Sequence, residues 1–135
     1  MYAEKAVYAM LTAYAGLTAL VGSRIYSGGV LPQGCALPAV TAQMIGSSSL
    51  QTIDANGGYN LMRARIQLTV FAKSYPAQKT LMEQVRKACN NQRGVWAGVT
   101  VISALRDTVG ADLRDDSKQI YEQTLDFQVT YQEPA

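Results

Sequence analysis

An α+β fold in a single domain is what this sequence predicts: an antiparallel or mixed β-sheet of about four strands with two main helices packed on one face. Three observations carry that expectation. Apolar residues recur at three- and four-residue spacing near the N-terminus and again after Pro76. Elsewhere they alternate strictly with polar residues. The elements then run helix, strand, loop, strand, helix, strand, strand, without the regular strand-helix repeat of a parallel sheet. At 135 residues the chain has the length of one domain, able to bury roughly two thirds of the surface its unfolded form exposes. The domain is expected to span 1–135 with a long flexible loop at about 46–61.

Ala3, Val7, Met10, Leu11 and Tyr14 line one face of a helix from about residue 2 to residue 14, with Gly16 as its stop. Leu17 to Val21, closed by Gly22, reads as one more helical turn. Arg24-Ile25-Tyr26 suits a brief strand before Gly28-Gly29 and the Pro32 to Pro38 region impose an irregular path. Val40, Ala42 and Met44 alternate with Thr41 and Gln43 as a half-buried strand requires. Gly46 to Asn60 is rich in Gly and Ser and carries Asn56-Gly57-Gly58, so it reads as a loop or loose hairpin tip.

The strongest strand follows. Ala64, Ile66, Leu68, Val70 and Ala72 face one way, and Arg63, Arg65, Gln67, Thr69 and Lys73 the other, with Phe71 breaking the polar face. Ser74 or Tyr75 can cap a helix that takes Pro76 in its first turn, where a missing amide proton costs nothing. Leu81, Val85, Ala88 and Cys89 give that helix its apolar stripe, and it should end near Asn90-Asn91. A strand after Gly98 points Val99, Val101 and Leu105 to one side and Ile102 to the other. A polar segment from Gly110 to Gln119 precedes a last strand, in which Tyr121, Leu125, Phe127, Val129 and Tyr131 alternate with polar residues.

The chemistry is bounded mainly by exclusion. The chain has no histidine, which removes Ser-His-Asp and Cys-His sites and the commonest metal ligand. Cys35 and Cys89 fit no metal spacing and read as a reduced pair. There is no GxxxxGK[ST] or GxGxxG, so no cofactor is expected. Asp112, Asp115 and Asp116 form the acidic cluster; without the EF-hand pattern they read as a solvated loop rather than a calcium site. A net charge of +2 falls far short of the field that non-specific nucleic-acid binding needs. No apolar run reaches the ~20 residues of a membrane span, and Glu4 near the start is unlike a signal peptide, so a cytoplasmic origin is expected. Arg63 and Arg65 suit DNA phosphates, an acidic partner surface or solubility alone. Eight tyrosines against two phenylalanines suit interfaces; Tyr14, Tyr121 and Tyr131 fall on apolar faces, and Tyr59, Tyr26 and Tyr75 are the better candidates for contacts.

Taken in order, Val21-Gly-Ser-Arg-Ile-Tyr26, Leu31-Pro-Gln33 and Pro38-Ala-Val40 resemble the small tail-completion family of long-tailed phages and prophages. Arg63-Ala-Arg-Ile-Gln-Leu68, the helix after Tyr75-Pro76 and Leu125-Asp-Phe-Gln-Val-Thr-Tyr131 extend the resemblance over nearly the whole chain. Ser27 stands where the family has a proline, and Thr41-Ala-Gln43 where a tyrosine is common.

The resemblance implies a fold like the tail terminator of lambdoid phages and a non-enzymatic structural role. It implies a hexameric ring at the head-proximal end of the tail that terminates tube growth and joins the tail to the head connector. The partners it implies are the tail tube protein and a connector or stopper protein, with genomic DNA passing through the ring and no membrane. The location implied is the virion tail or neck, after assembly in the host cytoplasm. A head-side adaptor or stopper of the neck is the alternative within this class; a small hydrolase using Asp or Glu and a ligand-binding module are alternatives outside it. The residues expected at a subunit or partner interface are Ser48, Leu50, Asp54, Asn56, Tyr59, Arg63, Arg65 and Asp115.

Overall fold

Helix α1, Tyr2–Ala13, forms because its apolar residues fall on one stripe: Ala3, Ala6, Val7, Met10 and Leu11 are all buried. The computed structural model describes residues 2–29, 31–50, 59–115 and 119–134. The break after α1 comes at Tyr14, whose backbone is extended (φ −89°, ψ 110°), and not at Gly16. Gly16 lies inside the next helix, α2 (Ala15–Val21), where a side chain would collide with Gln84 and the Tyr14 ring. Its role is therefore close approach between helices rather than termination.

Strand β1, Ile25–Ser27, pairs in parallel with β2, Ala39–Leu50. Strand β2 pairs antiparallel with β3, Tyr59–Ala72, which in turn pairs with β7, Ile120–Pro134. Helix α3, Tyr75–Cys89, starts where Ser74 Oγ accepts the Ala77 amide at 3.3 Å and ends with the Asn90 amide donating to Arg86 O. Arg86 and Lys87 in its last turn suit the negative end of the helix dipole.

After α3 come β4 (Gln92–Trp96), β5 (Val99–Val109) and β6 (Leu113–Asp115). The sheet order is β1-β2-β3-β7-β5-β4, with β6 also on β7. The fold is thus a mixed α+β domain with three helices and seven strands among the described residues, more strands than the roughly four expected. The undercount has a physical reason: β4 and β6 are only 5 and 3 residues long, too short to display a period, while β1 is the brief strand expected at Arg24-Ile25-Tyr26. The Gly110–Gln119 segment, expected to be only a connection, contributes β6.

The core lies between one face of the sheet and helices α1 and α3. Ile66, Leu68, Val70, Leu125, Phe127 and Val129 meet Val7, Met10, Leu81 and Val85 in one continuous cluster. Burying each of the larger side chains stabilises the fold by ~1.5–3 kcal/mol, so this double layer dominates the energetics.

Two expectations need correction. Gly46–Leu50 and Tyr59–Leu61, expected to belong to a loop at about 46–61, are paired strand: Gly46 faces Arg65 and Leu50 faces Leu61. Backbone pairing to β3 supplies the order that their side chains do not, and residues 51–58 lie outside the described ones. Leu105, expected on the apolar side of β5, is 49% exposed, while Ala104 is buried. Pairing steps from Val101 opposite Tyr131 to Ser103 opposite Thr130, so Ile102 is a bulge and the side chains that follow it change face as far as Arg106, after which the register shifts again.

Candidate functional site

The helix-free face of the sheet gathers most of the polar side chains that sequence marked as chemically interesting. Arg63, Arg65, Gln67, Thr69 and Phe71 of β3 lie opposite Thr130, Gln128, Asp126, Thr124 and Glu122 of β7. At its centre Arg65 Nη2 donates to Asp107 Oδ2 of β5 and, at 3.4 Å, to Thr108 Oγ1. Arg65 Nε lies 3.6 Å from Asp126 Oδ2, and Gln128 Nε2 donates to Asp107 Oδ2 at 3.2 Å. The Arg65 guanidinium holds the Asp107 carboxyl below its ordinary range, helped by Gln128. Because the pair is open to water, it orders the face more than it stabilises the fold. Arg65 is therefore ion-paired within the chain while its side chain stays 42% exposed.

Arg63 stands apart from that network. It is exposed, directly across from Ser48 of β2, which is exposed as well. Past Met44, residues 45–49 are exposed on both faces of β2, so the end of the β2–β3 hairpin is an arm whose β2 side is open to solvent while Met62 and Ala64 of β3 and Tyr131 of β7 still pack on the core. This arm unites two of the expected interface residues, Ser48 and Arg63. The backbones of Leu50 and Tyr59 belong to it too; their side chains, with Asp54 and Asn56, lie outside the described residues. Asp115 pairs through its backbone with Ile120 at the other end of β7 and is not part of the arm.

At that other end, the segment 31–37 borders a cleft on the same face, lined by Leu31, Pro32, Leu37, Phe71, Ile120 and Glu122. Cys35 Sγ lies 3.4 Å from the Tyr26 hydroxyl, and this hydrogen bond raises the Tyr26 pKa. Tyr26 is thereby committed to an internal contact. Tyr75 is 51% exposed, with Lys79 Nζ 5.0 Å above its ring. Lys79 also donates to Asp112 Oδ1 at 2.6 Å, which neutralises one member of the acidic cluster. Cys35 and Cys89 are both free thiols. Among the described residues no three His, Cys, Asp or Glu side chains stand together as metal ligands, and no helix is long and apolar enough to cross a membrane.

Sequence reasoning missed Asp107, Asp126 and Gln128. Their one signal was polarity at alternate positions, and only strand register reveals that they meet Arg65.

The profile of a family described as tail completion protein gp17 matches residues 5–132. A chain in a solved structure described as the virion of a native gene transfer agent particle superposes with a TM-score of 0.66 at 20% identity. That match covers 98% of this chain and 95% of the other, and it shows a shared fold. No curated protein matches the chain.

Proposed function

This chain belongs to the tail completion protein gp17 family of phage-like virions, and from that membership we propose that it forms a ring at the head-proximal end of the tail. The ring, of six copies, ends growth of the tail tube and presents a surface to the head connector or stopper protein. DNA passes through it without sequence-specific contact. The protein works as structure, not as an enzyme: it is made in the host cytoplasm and stays in the virion.

The observation that carries this reading is the family match over residues 5–132. The architecture supports it. One sheet runs across the domain from β1 and β2 at one edge to β4 at the other, so two different surfaces lie at opposite ends. Contacts between unlike patches repeat from copy to copy and close into rings. The projecting β2–β3 arm supplies an exposed element for a tube or connector partner.

Particles assembled without the protein provide the test. Filled heads and unattached tails of irregular length, with no terminal ring in electron micrographs, are expected. Normal joined particles, or the protein distributed along the tube, would overturn the proposal. A ring bound to heads in the absence of tails would reassign it to the head side of the neck.

A further inference from the structure

We propose that the outer edge of β2, from Met44 to Ser49, seats a second copy of this chain through that copy's β4–β5 end. The inference rests on the ring reading above and names its subunit contact.

Its first support is a run without charge. From Ile25 to Ile53, 29 residues contain no Asp, Glu, Lys or Arg, where the chain's 16% average would place about five. The fold puts β1 and β2, both from this run, at one sheet edge. The edge is also open: β1 pairs only with Val40, Thr41 and Ala42, and among the described residues no strand covers Met44 to Ser49 on that side. Exposed edges usually carry charges or prolines that block pairing with another chain. The bulge at Ile45 is the device this one shows, and it leaves the Ile45 side chain 51% exposed.

The opposite end of the sheet is different in kind. Arg86, Lys87 and Arg106 crowd the single carboxylate of Glu83 and lower its pKa, with Arg93 on the adjoining β4. Beside them Val95 is 70% exposed and Ile102 46%. Apolar area flanked by arginine is the composition of a protein interface. Two such basic ends repel each other, whereas β2 itself carries no charge, Arg63 of the neighbouring β3 being the cation beside it. Contact of the neutral edge with the basic end also covers Ile45, Val95 and Ile102 together and repeats head to tail.

Cross-linking tests the assignment on the full chain, with tail tubes added if assembly needs them. The background is Cys35→Ser; Cys89 is fully buried and inert. Ser48→Cys and Val95→Cys proteins, made separately with different mass tags, are mixed and treated with a short thiol-specific cross-linker. Mixed-tag dimers are expected, and neither variant alone should cross-link. Self-linking of Ser48→Cys would mean edge-to-edge β2 pairing and overturn the inference. So would an absence of mixed dimers while wild type is oligomeric by native mass spectrometry, an outcome that leaves the ring itself standing. Wild type that stays monomeric with tubes present would overturn the ring and this contact together. Charge gives an independent readout: Ser48→Lys should raise the half-dissociation concentration about tenfold with unchanged melting temperature, while Ser48→Glu should not raise it. Equal weakening by both would remove the basic end from the contact.

Discussion

Arg65 on β3 and Asp107 on β5 join hands across β7, with Gln128 of the intervening strand bonded to the same carboxylate. The tie spans three strands of the open face and depends on Asp107 being ionised. Its folded pKa is held below the ordinary 3.8 by Arg65. The contribution to stability is therefore present above that value and is lost as pH falls through the lowered folded value. Asp107→Asn should remove part of this dependence, so the stability gap between wild type and variant narrows as pH falls below the ordinary 3.8. Urea melts above and below that value check it; a constant gap would show that the tie contributes no proton linkage.

Gln78 is fully buried on α3, yet its side-chain amide oxygen and nitrogen find no partner among the described residues. Burying an unpaired amide costs ~1–3 kcal/mol. Gln78→Leu should thus raise stability by about 1–2 kcal/mol and the melting temperature by about 3–6 °C. Differential scanning calorimetry measures it, and a lower melting temperature would mean that the amide is satisfied.

Ile66 is buried on the middle strand of the core, opposite Phe127. Ile66→Asp places an unpaired carboxylate there, at a cost of several kcal/mol, enough to abolish a marginally stable fold. Loss of soluble protein is the expected result. A folded variant by circular dichroism would mean that the sheet opens there more easily than its burial implies.

Ser74 caps α3 through the Ala77 amide. Ser74→Ala should cost about 1 kcal/mol without altering assembly. A chemical denaturation curve reads the first effect and native mass spectrometry the second.

Shortening the β2–β3 connection by removing 53–56 should leave the melting temperature nearly unchanged, since the register of β2 and β3 is held by their own pairing from Ala39 to Leu50. Tail completion should fall if the arm tip meets a partner, as read from infectious titre. Normal titre would move the partner surface down the arm to Arg63.

Which elements exist was legible in local pattern. Alternation from Ala64 to Ala72 and from Leu125 to Tyr131 marked the two central strands, and every one of those apolar residues is buried. Ser74 and Pro76 marked the start of α3 because capping is a matter of three adjacent residues. Strand β4 escaped notice: it joins β5 through Ala97 and Gly98, both at positive φ (53° and 78°), where a turn would more recognisably carry Asn-Gly.

Of the expected interface residues, only Ser48 and Arg63 have described side chains on the arm, and Arg65 went to an internal tie. No local rule could separate those two arginines. They sit two residues apart with the same facing, and what distinguishes them is which residues of β7 and β5 lie alongside. Register joins positions 42 to 75 apart in sequence, and a single bulge such as that at Ile102 reverses the facing of the residues that follow it until the next shift of register. Periodicity is set within a strand by the pleat, so the chain carries it openly. Pairing is settled between strands by backbone hydrogen bonds whose partners exist only once the sheet has closed, and with it came the Arg65–Asp107 tie and the open edge of β2.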